Sequence, residues 1–201
     1  MSLVVVPDAC VLFPAPLRDT ILRAAQEDLY QVRFTEEILE EVRRNLVKHE
    51  IMPPEKAQYL IAAISKHFEG SFVSPRKSLI KSMPNHPKDR HVLAAAVASK
   101  AGIIVTSNLK DFPNDLLAQY EVEAQSPDVF LTDLFHSDIE RMARALVKQA
   151  SALRKPSMTV PEVLERLKLH APQFVDLVNK EFTQRNEHFG LRLPASERDV
   201  R

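Results

Sequence analysis

Residues 3–6, Leu-Val-Val-Val, form an unbroken apolar run stopped by Pro7, the pattern of a short strand covered on both faces. The same rhythm returns at residues 103–106, and in weaker form at 31–34 and 122–124. Between these runs the spacing becomes helical. Leu17, Ile21, Leu22, Ala25 and Leu29 share one face. Ile38, Leu39, Val42 and Leu46 share another, behind Thr35 as N-cap and with Glu36 and Glu37 in the first turn, in a helix ending near His49. Pro53 and Pro54 open a helix through Phe68, and residues 88–101 carry Val92, Leu93, Ala95, Ala96 and Ala98 on one face, with Gly102 placed to cap it. Segments 114–120 and 127–135 complete the alternation.

Strands separated by helices require crossovers, so the spacing predicts an α/β domain over residues 1–134, a parallel sheet flanked by helices. Past residue 134 the strand rhythm stops. Segments 138–153, 160–169 and 173–182 read as helices, which makes residues 135–201 a small all-α extension, with 186–201 as a loosely held tail. Ile139, Met142, Ala143, Leu146 and Leu153 give its first helix a stripe expected to pack on the α/β domain.

Composition narrows the function classes. With three glycines in the chain, neither a dinucleotide fingerprint nor a Gly-rich phosphate loop can be written. One cysteine, Cys10, excludes an intramolecular disulfide framework and a cysteine-rich zinc module, and fits a reducing compartment. No apolar run reaches membrane-spanning length and no basic stretch precedes the first strand, so a cytoplasmic protein without a signal peptide or membrane partner is expected. Charge is zero overall but uneven. Residues 1–134 hold 15 basic and 18 acidic side chains, and residues 135–201 hold 12 and 9. Any anionic ligand must therefore be met locally.

In an open parallel sheet the ligand crevice lies beyond the carboxyl ends of the strands. Asp8 follows the first strand, and Asn108 and Asp111 follow residues 103–106. Asp89 lies in the first turn of the helix that feeds the latter strand. A fourth carboxylate comes from the Thr35 helix, where Glu41 lies roughly 115° from the stripe centre and Glu40 about 145°, making Glu41 the better inward candidate. Carboxylates crowded in one crevice repel unless a cation neutralises them, and oxygen-only ligands favour Mg²⁺ or Mn²⁺ over zinc. Between Ser71 and Lys110 stand Arg76, Lys77, Lys81, Lys88, Arg90, Lys100 and Lys110 against one acid, Asp89. An acidic spot inside a basic stretch suits a metal-dependent nuclease.

Each residue also has a plainer role. Asp8, Asn108 and Asp111 are turn formers, Asp89 suits a helix N-terminus, and Glu40 and Glu41 belong to a charged run typical of a solvated face. His86 and His91 flank Asp89 but lack the spacing of a helical metal pair. Cys10 reads as a small buried hydrophobe behind the site. The combination in chain order is what favours chemistry.

That order resembles the PIN-domain family, particularly the VapC-like ribonuclease toxins of bacterial toxin–antitoxin pairs. The matching pieces are Val-Val-Val-Pro-Asp8-Ala-Cys-Val-Leu, Thr35-Glu-Glu-Ile-Leu-Glu-Glu41-Val, Lys88-Asp89-Arg-His-Val-Leu-Ala-Ala-Ala and Thr106-Ser-Asn108-Leu-Lys-Asp111-Phe. They cover residues 1–134 and leave the extension unexplained. The resemblance implies a parallel sheet flanked by helices and Mg²⁺-dependent hydrolysis of an RNA phosphodiester, with Mn²⁺ as a substitute. It further implies Asp8, Glu41, Asp89 and Asp111 as metal ligands, directly or through water, and a cognate antitoxin as partner. A homodimer is left open. Asn108 departs from the family, where Asp is common; the amide lowers the site's negative charge, which Asp111 offsets. Two rivals stand beside it. A haloacid-dehalogenase-type phosphatase would require Asp where Cys10 stands, and a non-catalytic PIN-like module would bind RNA or protein with a vestigial groove. In the extension, Arg141, Arg144, Lys148, Arg154 and Lys155 are expected to lie exposed, where they could grip phosphates.

Overall fold

A computed structural model describes residues 3–152 and 158–189. Leu153, Arg154, Lys155 and residues 190–201 of the expected tail lie outside the described residues. Four strands, β1 (Val4–Pro7), β2 (Gln31–Val32), β3 (Ile103–Val105) and β4 (Glu123–Gln125), make one all-parallel sheet in the order β2-β1-β3-β4. Val5, Val6, Ile104 and Val105 are fully buried, because every connection is a helical crossover that covers a face.

The helices are α1 (Ala9–Leu12), α2 (Ala15–Gln26), α3 (Glu36–Lys48), α4 (Pro54–His67), α5 (Lys77–Ser82), α6 (Arg90–Ser99), α7 (Asn114–Ala118), α8 (Pro127–Ser137), α9 (Ile139–Ala152), α10 (Val160–Leu167) and α11 (Pro172–Phe189). None of those described is long and apolar enough to cross a membrane. Thr35 caps α3 by accepting from the Ile38 N–H. The α6 terminus differs from the sequence expectation: Lys100, not Gly102, takes the left-handed position at φ 54°. The reason is the sheet. Gly102 already donates its N–H to the Val4 carbonyl and accepts from the Glu123 N–H, so the reversal must be complete two residues earlier.

Chain direction places the site. From β1 the chain passes to β2 on one side, then returns through α3–α6 to β3 on the other, so the connections diverge at the β1/β3 boundary. In parallel sheets such a switch point opens a crevice at the carboxyl ends of the two strands.

The helices after the sheet share its core rather than forming a second one. Helix α9 packs along α2 through Met142, Ala145, Leu146 and Ala150, and α11 packs on α8 through the edge-to-face pair Phe135–Phe174. Residue 134, expected as the domain limit, lies inside α8. In α9 the buried Gln149 accepts from the Thr20 hydroxyl and donates to the Pro16 carbonyl, so the one polar member of the stripe is paired.

Of the cations expected to lie exposed on α9, Arg144 and Lys148 are exposed and Arg141 is half-buried, but each already has a partner. Arg144 and Lys148 both pair with the buried carboxylate of Glu27, at 3.1 and 2.5 Å. Those two hydrogen bonds, that from Lys148 foremost, hold the Glu27 carboxyl below its usual range. Arg141 donates to the Glu27 and Asp28 carbonyls and pairs with Asp138. Half-exposed as they are, these three side chains are engaged at the end of α2, whose C-terminal carbonyls and buried acid offer the nearer anionic partners.

Candidate active site

Three residues singled out from sequence stand at positions where a helix or turn begins, yet none uses its side chain as a cap. Asp8 precedes α1, Asp89 precedes α6 and Asn108 precedes the 3₁₀ turn Leu109–Asp111; in each case the side chain makes no capping hydrogen bond. By contrast Thr35, Ser126 and Thr159 do cap their helices. Side-chain capping therefore accounts for neither Asp8 nor Asp89.

Asp8 is held at the β1/β3 boundary from two strands. Its N–H donates to the Val105 carbonyl at 2.9 Å, and its Oδ2 accepts from the Thr106 hydroxyl at 2.8 Å and the Cys10 thiol at 3.0 Å. The Asn108 N–H in turn donates to Thr106 Oγ1 at 3.0 Å. Thr106 therefore locks the Asp8 carboxylate to the loop after β3. Sequence reading passed over it; the available signal was a polar residue closing an otherwise apolar central strand. Cys10 is also not behind the site. It is half-buried, bonds Asp8 directly and receives the Ser107 N–H, and burial first, then the Asp8 charge, pushes its thiol up to about 12.

Glu41 and Asp89 face this point from α3 and the start of α6. Burial and then the Asp8 charge raise the Glu41 carboxyl above its usual range, opposed by His91 and Arg44. Burial, then Asp8 and Asp111, do the same for Asp89. Asp111 is tied to its neighbour by the Asn108 Nδ2–H, which keeps the amide and the acid together. Glu40 goes elsewhere. Both its oxygens accept from Arg43 at 2.7 Å on the exposed face, and that pairing lowers its carboxyl.

The Asp8 charge thus bears on both Glu41 and Asp89, and that of Asp111 on Asp89. These four carboxylates, a donor set of oxygens alone, fit a hard divalent cation and not zinc. Among the described residues no three His, Cys, Asp or Glu close round one point at ligand spacing. Of the seven cations between residues 76 and 110, none is in a salt bridge among the described residues, and all but Arg90 are exposed. Arg90 donates to the Asn85 carbonyl.

A model of the PIN domain matches residues 4–110, more than half of the chain and the stretch that contains Asp8, Glu41, Asp89 and Asn108. The chain belongs to the PIN-domain family. A second model, the VapC50 C-terminal domain, matches residues 127–180 of this PIN protein, starting at the first residue of α8. Over 121 residues it is 39% identical to the Mycobacterium tuberculosis (strain ATCC 25618 / H37Rv) protein named "Putative ribonuclease VapC50", which covers 60% of this chain and 71% of that one. No solved structure matches this chain significantly.

Proposed function

We propose that this PIN protein is a divalent-metal-dependent endoribonuclease, acting with Mg²⁺ or Mn²⁺, and the toxin of a toxin–antitoxin pair. The observation that carries the reading is the Asp8 carboxylate, fixed by Thr106 at the sheet's switch point with Glu41, Asp89 and Asp111 around it. Asp8, Glu41, Asp89 and Asp111 would hold the metal, with Asn108 orienting Asp111 through its amide. Bound there, the metal would acidify a water and stabilise charge on an RNA phosphate. The protein's own part is to hold these acids in place and to meet the RNA backbone with the cations of residues 76–110, none of which is in a salt bridge among the described residues. The name of the M. tuberculosis relative, a putative ribonuclease, supports the RNA substrate; the antitoxin partner rests on the resemblance of the motifs to VapC-like toxins.

Purified protein incubated with total RNA should cut it in Mg²⁺ or Mn²⁺ and stop in EDTA. Cleavage that persists in EDTA overturns metal dependence. No cleavage in any metal, with RNA still bound, leaves a binding module.

The two adjacent acids of α3 provide a sharper comparison. Glu41→Gln is expected to lower the cleavage rate by at least about a hundredfold, whereas Glu40→Gln, which loses only a surface pair, should change it less than about twofold. Measured rates in the opposite order would put the wrong acid in the crevice.

A further inference from the structure

Helix α6 buries six consecutive residues, His91 to Ala96, and five of them are apolar. The exception is His91, 5% exposed. Its Nε2 is buried with no hydrogen-bond partner, and the nearest acid is Glu41 on α3, with Oε2 at 3.6 Å. An unpaired imidazole nitrogen in a core destabilises the fold, a cost that an apolar residue of similar size would avoid. The atom that bears this cost faces the acid that sequence and geometry place in the crevice, from the helix that begins at Asp89.

We infer that His91 is a positioning residue, whose Nε2–H donates to Glu41 and holds that carboxylate turned toward Asp8 and Asp89. The 3.6 Å separation lies just beyond a hydrogen bond, and such contacts commonly tighten when a site is loaded. His91 is not itself a ligand here; it acts through Glu41, as the partners behind metal-binding side chains do. This inference rests on the nuclease reading above.

The test uses the full chain, Mn²⁺ titration by calorimetry and RNA cleavage. His91→Leu should weaken Mn²⁺ binding and lower kcat by about 10–100-fold, with KM for RNA unchanged and thermal stability kept or raised. His91→Gln, which can present an amide N–H toward the same acid, should recover most of both. In the Glu41→Gln background, His91→Leu should add no further loss. Wild-type Mn²⁺ binding and kcat in His91→Leu overturn the inference, as does a loss that adds fully to that of Glu41→Gln. Should the Leu variant not fold, ¹⁵N-histidine spectra of the wild-type chain decide: a proton on Nε2 of His91 is expected, and an Nε2 without a proton overturns the inference. A wild-type chain that neither binds Mn²⁺ nor cuts RNA overturns the nuclease reading first and the role of His91 with it.

Discussion

Asp8→Asn and Asp89→Asn are each expected to lose metal-dependent RNA cleavage by at least about a hundredfold, while the folded state becomes no less stable in EDTA. The fold should tolerate Asp8→Asn because the amide oxygen can still accept from the Thr106 hydroxyl. The Asp89 effect carries a sign that pH reveals. Burial first, then Asp8 and Asp111, raise the Asp89 carboxyl in the folded state, so its ionised form is penalised there relative to the unfolded chain. That penalty is full above the raised folded value and disappears below the unfolded value of about 4. Asp89→Asn removes it, so the variant should melt above wild type near neutrality, and the difference should close as pH falls to about 3.5. Unimpaired cleavage by both variants would end the nuclease assignment. A variant that melts below wild type near neutrality, with the deficit closing toward acid, would mean that Asp89 is stabilised as the anion.

The second large effect concerns the helices after the sheet. Phe174→Ala is expected to cost about 3–5 kcal/mol, a fall of roughly 10 °C in Tm for a chain of this size. Phe174 is fully buried, stacks edge-to-face on Phe135 at 6.2 Å, and its N–H is held by Asp128 at 2.9 Å. Residues of α8, α10 and α11 lie in the same hydrophobic cluster as the sheet. The loss should therefore appear as one cooperative transition moving as a whole, recorded by circular dichroism and calorimetry. A melt in two steps, with only one step shifted, would show that these helices fold as a separate unit.

The opposed net charges of residues 1–134 and 135–201 allow the extension either to dock on the α/β domain or to extend its hold on RNA. The pairing of Arg144 and Lys148 with Glu27 favours docking. The cations of residues 76–110, proposed above to meet the RNA backbone, are in no salt bridge among the described residues.

What the sequence determined is what depends on near neighbours. Apolar runs of a few residues set the two central strands, β1 and β3, with a weaker signal for β2 and β4; 3.6-residue spacing set the helices, Thr35 set the start of α3, and the order of strands and helices required parallel pairing. The positions of Asp8, Asp89 and Asn108 at the starts of helices or turns were equally legible, since they follow from where elements end. Whether those side chains cap or face a crevice was not legible, because both roles use the same residue at the same place. Tertiary structure decided that. It brought Thr106 to Asp8 across 98 positions and His91 to Glu41 between two helices. It also moved the α6 reversal from Gly102 to Lys100, because the glycine's backbone was already committed to the sheet. Local pattern fixes where a chain bends; only the packed sheet and helices fix which distant polar groups must share one buried space.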